Sequence, residues 1–393
     1  MDRHAPPDET ALGDLTEASA LDRRALLRLA GICGMAGGLS MAGGPSAEAA
    51  STSSAVFDPA AQGRVHVLPS TPQTVNVGTL DPKRAPVLEI ESGDVVHYPD
   101  TWVNWANEAK YDMPFDVREP IRKRYPQGPY SLIGPVAVRG AEPGDVIECR
   151  MIKLRPIDWG WNSAPSGVGA LPADFKGGYL HYLKFDSERR YADFAPGVRI
   201  PLAPVQGVMA VQPAGDQPVS GILSGPYGGN LVLRDLVEGS ALFLPVQVSG
   251  GRIWTGDSHA AQGDGVVDQT AIETAMEDLR IQYVLHKRVA LAGPLAETPT
   301  HWIVIGFGAN VDDAIAQALR QMITWLSGAS GLAPIDVYAL LSIAGSLRIT
   351  QYARQTNTVY SSEPAKAVHA MAPKSIFQQD MVAKIRRALR PGA

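Results

Sequence analysis

The chain has 393 residues, of which 45% are hydrophobic and 19% are charged, and its formal net charge is −5 at pH 7. This length exceeds one ordinary hydrophobic core and the composition is typical of a soluble globular protein, so we expect two or three domains. No basic run is long enough for the electrostatic footprint of a nucleic-acid-binding protein, and we predict no nucleic-acid partner.

The first 49 residues have the pattern of an export signal. Arg23 and Arg24 precede a moderately apolar stretch rich in glycine and alanine, and residues 47–49 (AEA) form an A-x-A cleavage site. This pattern is typical of a twin-arginine signal peptide. A membrane anchor is the alternative, but Arg28 and several glycines make a poor spanning helix. We therefore predict a periplasmic or secreted protein with no stable membrane anchor after cleavage.

Cleavage after Ala49 would leave Cys149 as the single cysteine of the mature chain. An intramolecular disulfide and a thiolate metal cluster are then excluded. Because Cys149 lies in an alternating strand pattern, we expect a small core residue rather than a nucleophile.

Short apolar runs bounded by glycine and proline predict a mainly β protein. The predicted strands lie in residues 64–68, 87–96, 136–148, 199–212 and 241–254. Repeated short strands of this kind are typical of a sandwich or a barrel.

Residues 98–127 interrupt this pattern. After Tyr98, five further aromatic side chains alternate with charged residues and prolines, and no periodicity persists. A loop of this length inside a compact domain is more often functional than idle. We interpret the segment as a substrate lid or an oligomer contact, and the sequence leaves both open. His97, just before it, is retained as a candidate pocket residue.

Two helices are predicted near the C terminus. Apolar residues recur every 3.6 positions over residues 311–326, and Gly328 and Gly331 end that helix. A second helix is predicted over residues 334–344, because Pro334 suits the first turn. Strands are expected beside this helix pair at residues 302–306 and 348–352.

The predicted fold class is therefore mainly β with an α+β portion, in which sandwich or barrel strands are followed by a C-terminal helix pair. We expect the mature chain to consist of an N-terminal β-rich domain, residues 50–205, and a motif-bearing β and α/β domain, residues 206–393.

Residues 255–265 (TGDSHAAQGDG) are the densest group of polar side chains and glycines in the chain. Asp257 and His259 are two positions apart, so on an extended segment they point to the same face. This arrangement suits two ligands of one metal, or a base with its orienting carboxylate. A tight polar turn with a structural histidine is the alternative, and the pair alone does not decide between them.

Three blocks in one order and spacing, residues 134–145 (GPVAVRGAEPGD), 228–231 (GGNL) and 256–265 (GDSHAAQGDG), resemble the acetamidase/formamidase family. The resemblance covers most of residues 80–377, with further matches at 270–273, 297–301 and 373–377. It implies a hydrolase of small linear carboxamides that releases ammonia, on a mainly β fold and as a homo-oligomer. Some members hold a divalent ion, so the resemblance implies either a divalent metal cofactor, with zinc as the first choice, or no cofactor.

Amide hydrolysis needs a nucleophilic water and a polarised carbonyl. The resemblance assigns Asp257 and His259 as a ligand or base pair, with Asp264 as a second carboxylate. It assigns Gln262 and Asn230 as amide donors to the substrate. The predicted catalytic residues are His259, Asp257 and Asp264, the predicted substrate-binding residues are Asn230, Gln262 and Gly229, and the candidate metal ligands are Asp257 and His259.

Four polar positions of the family pattern are replaced here, while its glycines are retained. Val232 and Val266 stand where relatives carry acids, Tyr130 where the nearest subgroup carries histidine, and Ser346 where relatives carry aspartate. If the acid at position 266 is the family's base, amidase activity should be strongly reduced, unless Asp268 takes its place. The alternative function is therefore a non-catalytic or repurposed member that binds a small amide-like ligand in the periplasm.

Overall fold

Strands dominate the structure: 38% of the described residues lie in strands and 17% in helices, so the fold is mainly β, as predicted. The computed structural model describes residues 55–352, 354–355 and 359–391. In chain order the described strands are β1 Val65–Val67, β2 Val75–Val77, β3 Thr79–Leu80, β4 Leu88–Ile90, β5 Val95–Tyr98, β6 Ser131–Val138, β7 Val146–Pro156, β8 Trp159–Ala164, β9 Val168–Gly169, β10 Tyr179–Lys184, β11 Tyr191–Ala195, β12 Val198–Pro201, β13 Val205–Ala210, β14 Val219–Ser220, β15 Ser224–Gly225, β16 Gly228–Asn230, β17 Ala241–Pro245, β18 Ile253–Ala261, β19 Ile272–Thr274, β20 Met276–His286, β21 Leu295–Glu297, β22 His301–Gly308, β23 Ser346–Gln351, β24 Arg354–Gln355 and β25 Lys366–Pro373.

The described helices are α1 Phe115–Arg122, α2 Val311–Ser330, α3 Pro334–Ala344 and α4 Gln379–Leu389, with a left-handed helical turn at Asn104–Asn107 and a 3₁₀ turn at Lys374–Ile376. The predicted helix pair is confirmed as α2 and α3. The side chain of Asn310 accepts a hydrogen bond from the backbone N–H of Asp313 and caps α2. Gly331, at φ 85°, ends it in the left-handed conformation that glycine adopts without strain.

Two large sheets pack face to face and enclose the main core. One has nine strands in the order β1-β5-β20-β7-β17-β21-β22-β25-β23. The other has ten, with β10-β8-β19-β18-β13-β16-β15 in line and β6 joining β2 and β4 to β18. Ile147 and Ile281 of the first sheet share one cluster with Ile133 and Ile253 of the second. Of the two predicted arrangements, the structure is the sandwich.

Helices α2, α3 and α4 cover the outer face of the nine-stranded sheet. Trp302 of β22 is buried there with Met322 and Leu326 of α2 and Leu389 of α4. Among the described residues no single helix is long and apolar enough to cross a membrane. Only α2 and α3 taken together reach that length and composition, and they are bent by 114° where they meet.

Strands from both halves of the chain alternate in both large sheets. In the nine-stranded sheet β20 lies between β5 and β7, and in the ten-stranded sheet β19 lies between β8 and β18. The described residues therefore form one compact unit, and the expected boundary between residues 205 and 206 falls inside it. The expected signal peptide, residues 1–49, lies outside the described residues.

Buried ion pairs anchor the C-terminal end of α4 to the nine-stranded sheet. Arg390 donates hydrogen bonds to Glu148 of β7 at 3.0 Å and to Glu297 of β21 at 2.6 Å. Burial alone would raise the pKa of Glu148, but His286, Arg390 and Arg150 outweigh it and lower this pKa to about 2. Glu148 is therefore a buried carboxylate that stays ionised.

Candidate active site

Strand β18 brings Asp257 and His259 together, as their spacing predicts. The side chains are buried, and His259 Nε2 lies 3.2 Å from Asp257 Oδ2. Asp257 has a left-handed backbone, φ 55°, which aspartate tolerates better than most residues. The predicted pair is therefore buried on a strand and does not lie in a tight turn.

Glu273 is the third member of this cluster. In the antiparallel pairing of β18 with β19, Glu273 lies directly opposite His259, and its Oε1 is 3.4 Å from His259 Nε2. Asn104 Nδ2 donates to Glu273 Oε2 at 3.2 Å, and the backbone N–H of Ala271 donates to Oε1. Sequence reasoning included Glu273 only in a supporting match, because the strand pairing that places it is a tertiary feature.

Gly207 of β13 makes room for the cluster. A Cβ atom at this position would lie 2.5 Å from Asp257 Oδ2 and 2.7 Å from His259 Cε1. Both distances are shorter than a van der Waals contact. Any side chain here would push the carboxylate and the imidazole apart, so glycine is required by close approach.

Gln262 fixes the orientation of the imidazole. Its Oε1 lies 2.6 Å from His259 Nδ1, and its Nε2 donates to the carbonyl oxygen of Val232. Since the amide oxygen accepts a hydrogen bond, the proton sits on Nδ1 and Nε2 faces the two carboxylates. Gln262, predicted to bind substrate, has both ends of its amide engaged within the protein.

The two carboxylates determine the charge of the imidazole. Burial disfavours protonation of His259, but the negative charges of Asp257 and Glu273 outweigh it and raise the pKa to about 9. Burial, followed by the charge of Asp257, raises the pKa of Glu273 to about 8. Within the described part of the chain, His259 Nε2 and Asp257 Oδ1 have no hydrogen-bond partner. Buried polar atoms without a partner are uncommon and here converge on one point.

A divalent cation fits this point. One ligand atom each from Asp257, His259 and Glu273 lies within 4.8 Å of the others. Two carboxylate oxygens and one imidazole nitrogen form a donor set typical of zinc and similar ions, with an open position left for water or substrate. A cation would satisfy the partnerless atoms and offset the repulsion between the acids. Gln262 supplies the hydrogen bond that such a histidine usually makes through its other nitrogen.

Glu273 is the member of the cluster that borders a cavity of about 50 Å³, and Tyr130 lines the same cavity. Burial, and then the charges of Asp257 and Glu273, raise the pKa of Tyr130 well above its usual value, so its hydroxyl stays a proton donor. Asn230 Nδ2 donates to this hydroxyl at 3.3 Å and to the carbonyl oxygen of Ile222 at 3.2 Å. The predicted substrate-binding residue Asn230 therefore reaches the cavity through Tyr130.

Residues 98–127 form much of the cavity wall. Asn104 and Trp105 come from the left-handed turn, and Phe115, Arg118 and Arg122 come from α1. The segment is not an irregular loop, and its helix was missed because Pro120 and the charged residues hide the period. The two predicted roles, a substrate lid and an oligomer contact, stay predictions, and the structure shows that part of the segment lines this cavity.

Asp264 does not join Asp257 and His259, although it lies in the same motif. The chain turns after β18, and Asp264 belongs to a second group with Asp235 and His369. Its Oδ2 is 3.7 Å from both Arg234 and Arg348. The carboxylate that lies beside Asp257 and His259 is therefore Glu273, whereas the predicted Asp264 lies near two arginines.

The two valines at family acid positions are buried and have left-handed backbones, with φ 43° at Val232 and φ 45° at Val266. A β-branched residue is disfavoured in this conformation, whereas aspartate, asparagine and glycine accept it. Gly229 leaves no room for a side chain, because a Cβ atom there would lie 2.4 Å from the carbonyl oxygen of Leu223. The backbone at Val232 and Val266 therefore has a conformation that suits aspartate, asparagine or glycine better than valine.

Three other candidates lie elsewhere. Asp268 accepts a hydrogen bond from the backbone N–H of Thr270 and is not part of the three-residue cluster. His97 Nε2 contacts Asp278 at 3.1 Å. Cys149 is a fully buried core residue of β7, and burial raises the pKa of its thiol.

Comparison with known proteins finds one family across most of the chain. The model of the Acetamidase/Formamidase family matches residues 81–220 and 221–379. A formamidase of Methylophilus methylotrophus is 26% identical, over 47% of this chain and 60% of that protein. The matches to curated relatives span about half of each relative's length, from 47% to 60%.

Two solved structures are similar over nearly their whole length. An acetamidase of Bacillus halodurans is 26% identical with a TM-score of 0.70, covering 79% of this chain and 98% of that one. An acetamidase of Yersinia enterocolitica is 27% identical with a TM-score of 0.70, covering 80% and 93%. The sandwich with its helical layer is therefore the architecture of these enzymes.

Proposed function

Because the chain belongs to the acetamidase/formamidase family, we propose that it hydrolyses the C–N bond of small linear carboxamides and releases ammonia. The observation that supports this most directly is the buried cluster of Asp257, His259 and Glu273 beside a small cavity. The replaced family acids do not empty this cluster, since Glu273 supplies a carboxylate that the sequence motif alone does not reveal.

In this proposal Glu273 is the general base. Its carboxylate faces the cavity, where it accepts a proton from the attacking water and then transfers it to the leaving nitrogen. Asn104 holds the other carboxylate oxygen and fixes the direction of Oε1. The water oxygen bonds to the carbonyl carbon, the C–N bond breaks, and the products are a carboxylate and ammonium.

Tyr130 donates a hydrogen bond to the carbonyl oxygen as negative charge develops on it. Its high pKa keeps the proton on the hydroxyl during this step. Asn230 fixes its position. A divalent ion held by Asp257 and His259, with Glu273 beside it as the base, would lower the pKa of a water and polarise the carbonyl. We propose zinc as this ion because zinc accepts both imidazole and carboxylate ligands.

Ammonia release from formamide, acetamide and propionamide by the purified mature chain tests this function. The metal content of the same sample should be measured alongside. We expect activity in the wild type and a loss of at least about 100-fold in Glu273→Gln and His259→Gln. If the wild type releases no ammonia but amides still raise its melting temperature, the protein is an amide-binding member of the family and not a hydrolase.

We further propose that the mature protein is exported, supported by Arg23, Arg24 and the A-x-A site at residues 47–49. Replacing both arginines with lysine should leave the full-length precursor in the cytoplasmic fraction. N-terminal sequencing of the exported form should place cleavage after Ala49.

We also propose a homo-oligomer, because α3 exposes an apolar face. Ile335 is 69% exposed, Tyr338 53% and Ile343 82%. Exposed apolar patches of this kind are typical of protein interfaces. Light scattering should give a mass above that of one chain, and Ile343→Asp should lower it.

A further inference from the structure

A buried arginine lines the cavity beside the catalytic cluster. Arg118 of α1 is 3% exposed and borders the same cavity as Glu273 and Tyr130. Its guanidinium carbon lies 4.7 Å from the ring of Trp105 and 4.5 Å from that of Trp161. The two indoles cover the cation and shield it from water.

The charge of Arg118 has no acidic partner at contact distance. Over the described ranges no carboxylate lies within 4.0 Å of its guanidinium, and its side-chain hydrogen bond is a 3.4 Å contact to the hydroxyl of Tyr182. The neighbouring Arg122, by contrast, is paired with Glu119 at 2.9 Å. Arginine does not lose its proton in proteins, so it carries its charge into this buried position.

Cation–π contacts offset only part of the cost of burying an unpaired cation. An anion in the cavity would therefore supply the missing partner, because its oxygens would accept hydrogen bonds from the unpaired N–H groups of Arg118. A planar carboxylate matches the fork of the guanidinium and forms two parallel hydrogen bonds with it.

The size of the cavity limits what this anion is. At about 50 Å³ the cavity is small and suits only a short molecule. A separate anion would compete with the amide for this space. One short molecule that carries both groups fills the cavity, with its amide at Glu273 and its carboxylate at Arg118.

We propose that Arg118 binds a carboxylate of the substrate and that the preferred substrates are monoamides of short dicarboxylic acids. This inference rests on the proposed amide hydrolysis and adds the substrate class. Arg118 acts as a specificity residue, while Trp105 and Trp161 hold its guanidinium in place and exclude water.

Matched substrate pairs test the proposal directly. Oxamate and oxamide, malonamate and malonamide, and succinamate and succinamide have nearly the same shape and differ in carboxylate against carboxamide. Wild-type enzyme should prefer the carboxylate member of at least one pair. In Arg118→Gln, kcat/KM for that substrate should fall about 10- to 100-fold, mainly through KM, while the neutral partner changes less than about threefold.

Two further variants separate specific binding from general effects. Lys123→Gln removes a charge from the exposed end of the same helix and should leave both pair members unchanged. Arg118→Lys keeps the charge without the planar fork and should retain part of the preference. If Arg118→Gln does not fold, a loss of preference in Arg118→Lys provides the same test.

The outcomes separate this proposal from the proposed function. If neutral amides are hydrolysed and Arg118→Gln slows both members of each pair equally, the carboxylate proposal is wrong and the hydrolase proposal stands. If the wild type hydrolyses none of the amides, the hydrolase proposal is wrong, and calorimetric binding of malonate and succinate tests the subsite alone. Binding that Arg118→Gln abolishes would support the subsite, and no binding to the wild type would overturn it.

Discussion

The substitution Gly207→Ala should disable the site with a modest loss of stability. The added methyl carbon would lie 2.5 Å from Asp257 Oδ2, 2.7 Å from His259 Cε1 and 2.9 Å from the backbone oxygen of Asp257. The backbone oxygen has little freedom to retreat, so the carboxylate and the imidazole must move by about 0.5–1 Å to restore normal contacts. Overpacking of this kind costs about 1–3 kcal/mol. A displacement of 1 Å in catalytic groups costs about 100-fold in rate.

Ammonia release and thermal unfolding should therefore be measured on the same preparation. Gly263→Ala is the matched control, because a Cβ atom at Gly263 meets nothing within 4 Å although the residue is next to Gln262. We expect kcat in Gly207→Ala to fall by about 100-fold with a decrease of a few degrees in melting temperature, and Gly263→Ala to match the wild type. Full activity in Gly207→Ala would show that the Asp257–His259 geometry does not limit the reaction.

Three further predictions concern the same molecule. Gln262→Leu removes the hydrogen bond to His259 Nδ1, and kcat/KM for acetamide or metal affinity should fall about 10- to 100-fold; an unchanged value would exclude an orienting role. Glu148→Gln breaks a buried ion pair and should cost about 3–5 kcal/mol in urea unfolding at pH 7. Since the pKa of Glu148 is about 2 when folded and its usual value is 4.5, its contribution is complete above pH 4.5 and is lost as the pH falls towards 2. A wild-type stability that stays flat over that range would contradict this assignment. Treatment with a chelator should lower both the activity and the free energy of unfolding, the latter by about 2.7 kcal/mol relative to protein in free zinc at 100 times its Kd. Added zinc should restore both in the wild type but not in His259→Gln. Equal recovery in the variant would place the ion elsewhere.

Local patterns predicted those parts of the fold that depend on neighbouring residues in the chain. The period of residues 311–326 predicted α2, although the helix continues to Ser330 before Gly331 ends it. Helix α4 carries Met381, Ile385 and Leu389 at helical spacing and was detectable in the same way, but it was not predicted.

Tertiary pairing determined what the sequence could not predict. The strand–turn–strand pattern of residues 87–96 is present, yet β4 pairs with β6 in one sheet and β5 pairs with β1 and β20 in the other. The turn between them is a crossing from sheet to sheet. No local pattern distinguishes this crossing from a hairpin, because both need the same glycine-containing turn.

The residues of the site divide in the same way, into those placed by local sequence spacing and those placed by tertiary strand pairing. Asp257 and His259 were predictable because two-residue spacing on one strand brings them together directly. Glu273 is placed by the pairing of β18 with β19, and Asp264 is removed by the turn after β18, although it is closer to His259 in sequence. Proximity in the motif therefore grouped Asp264 with the pair, from which the structure separates it, and left out Glu273, which the structure places beside the pair.

The left-handed backbone at Val232 and Val266 has an evolutionary consequence. Each valine adopts a conformation that costs a β-branched residue about 1–3 kcal/mol and costs aspartate less. The backbone at Val232 would therefore accept aspartate without rebuilding of the loop, and one base change in the second codon position converts valine to aspartate or glutamate. Val232→Asp is thus a single mutational step that the backbone conformation does not oppose.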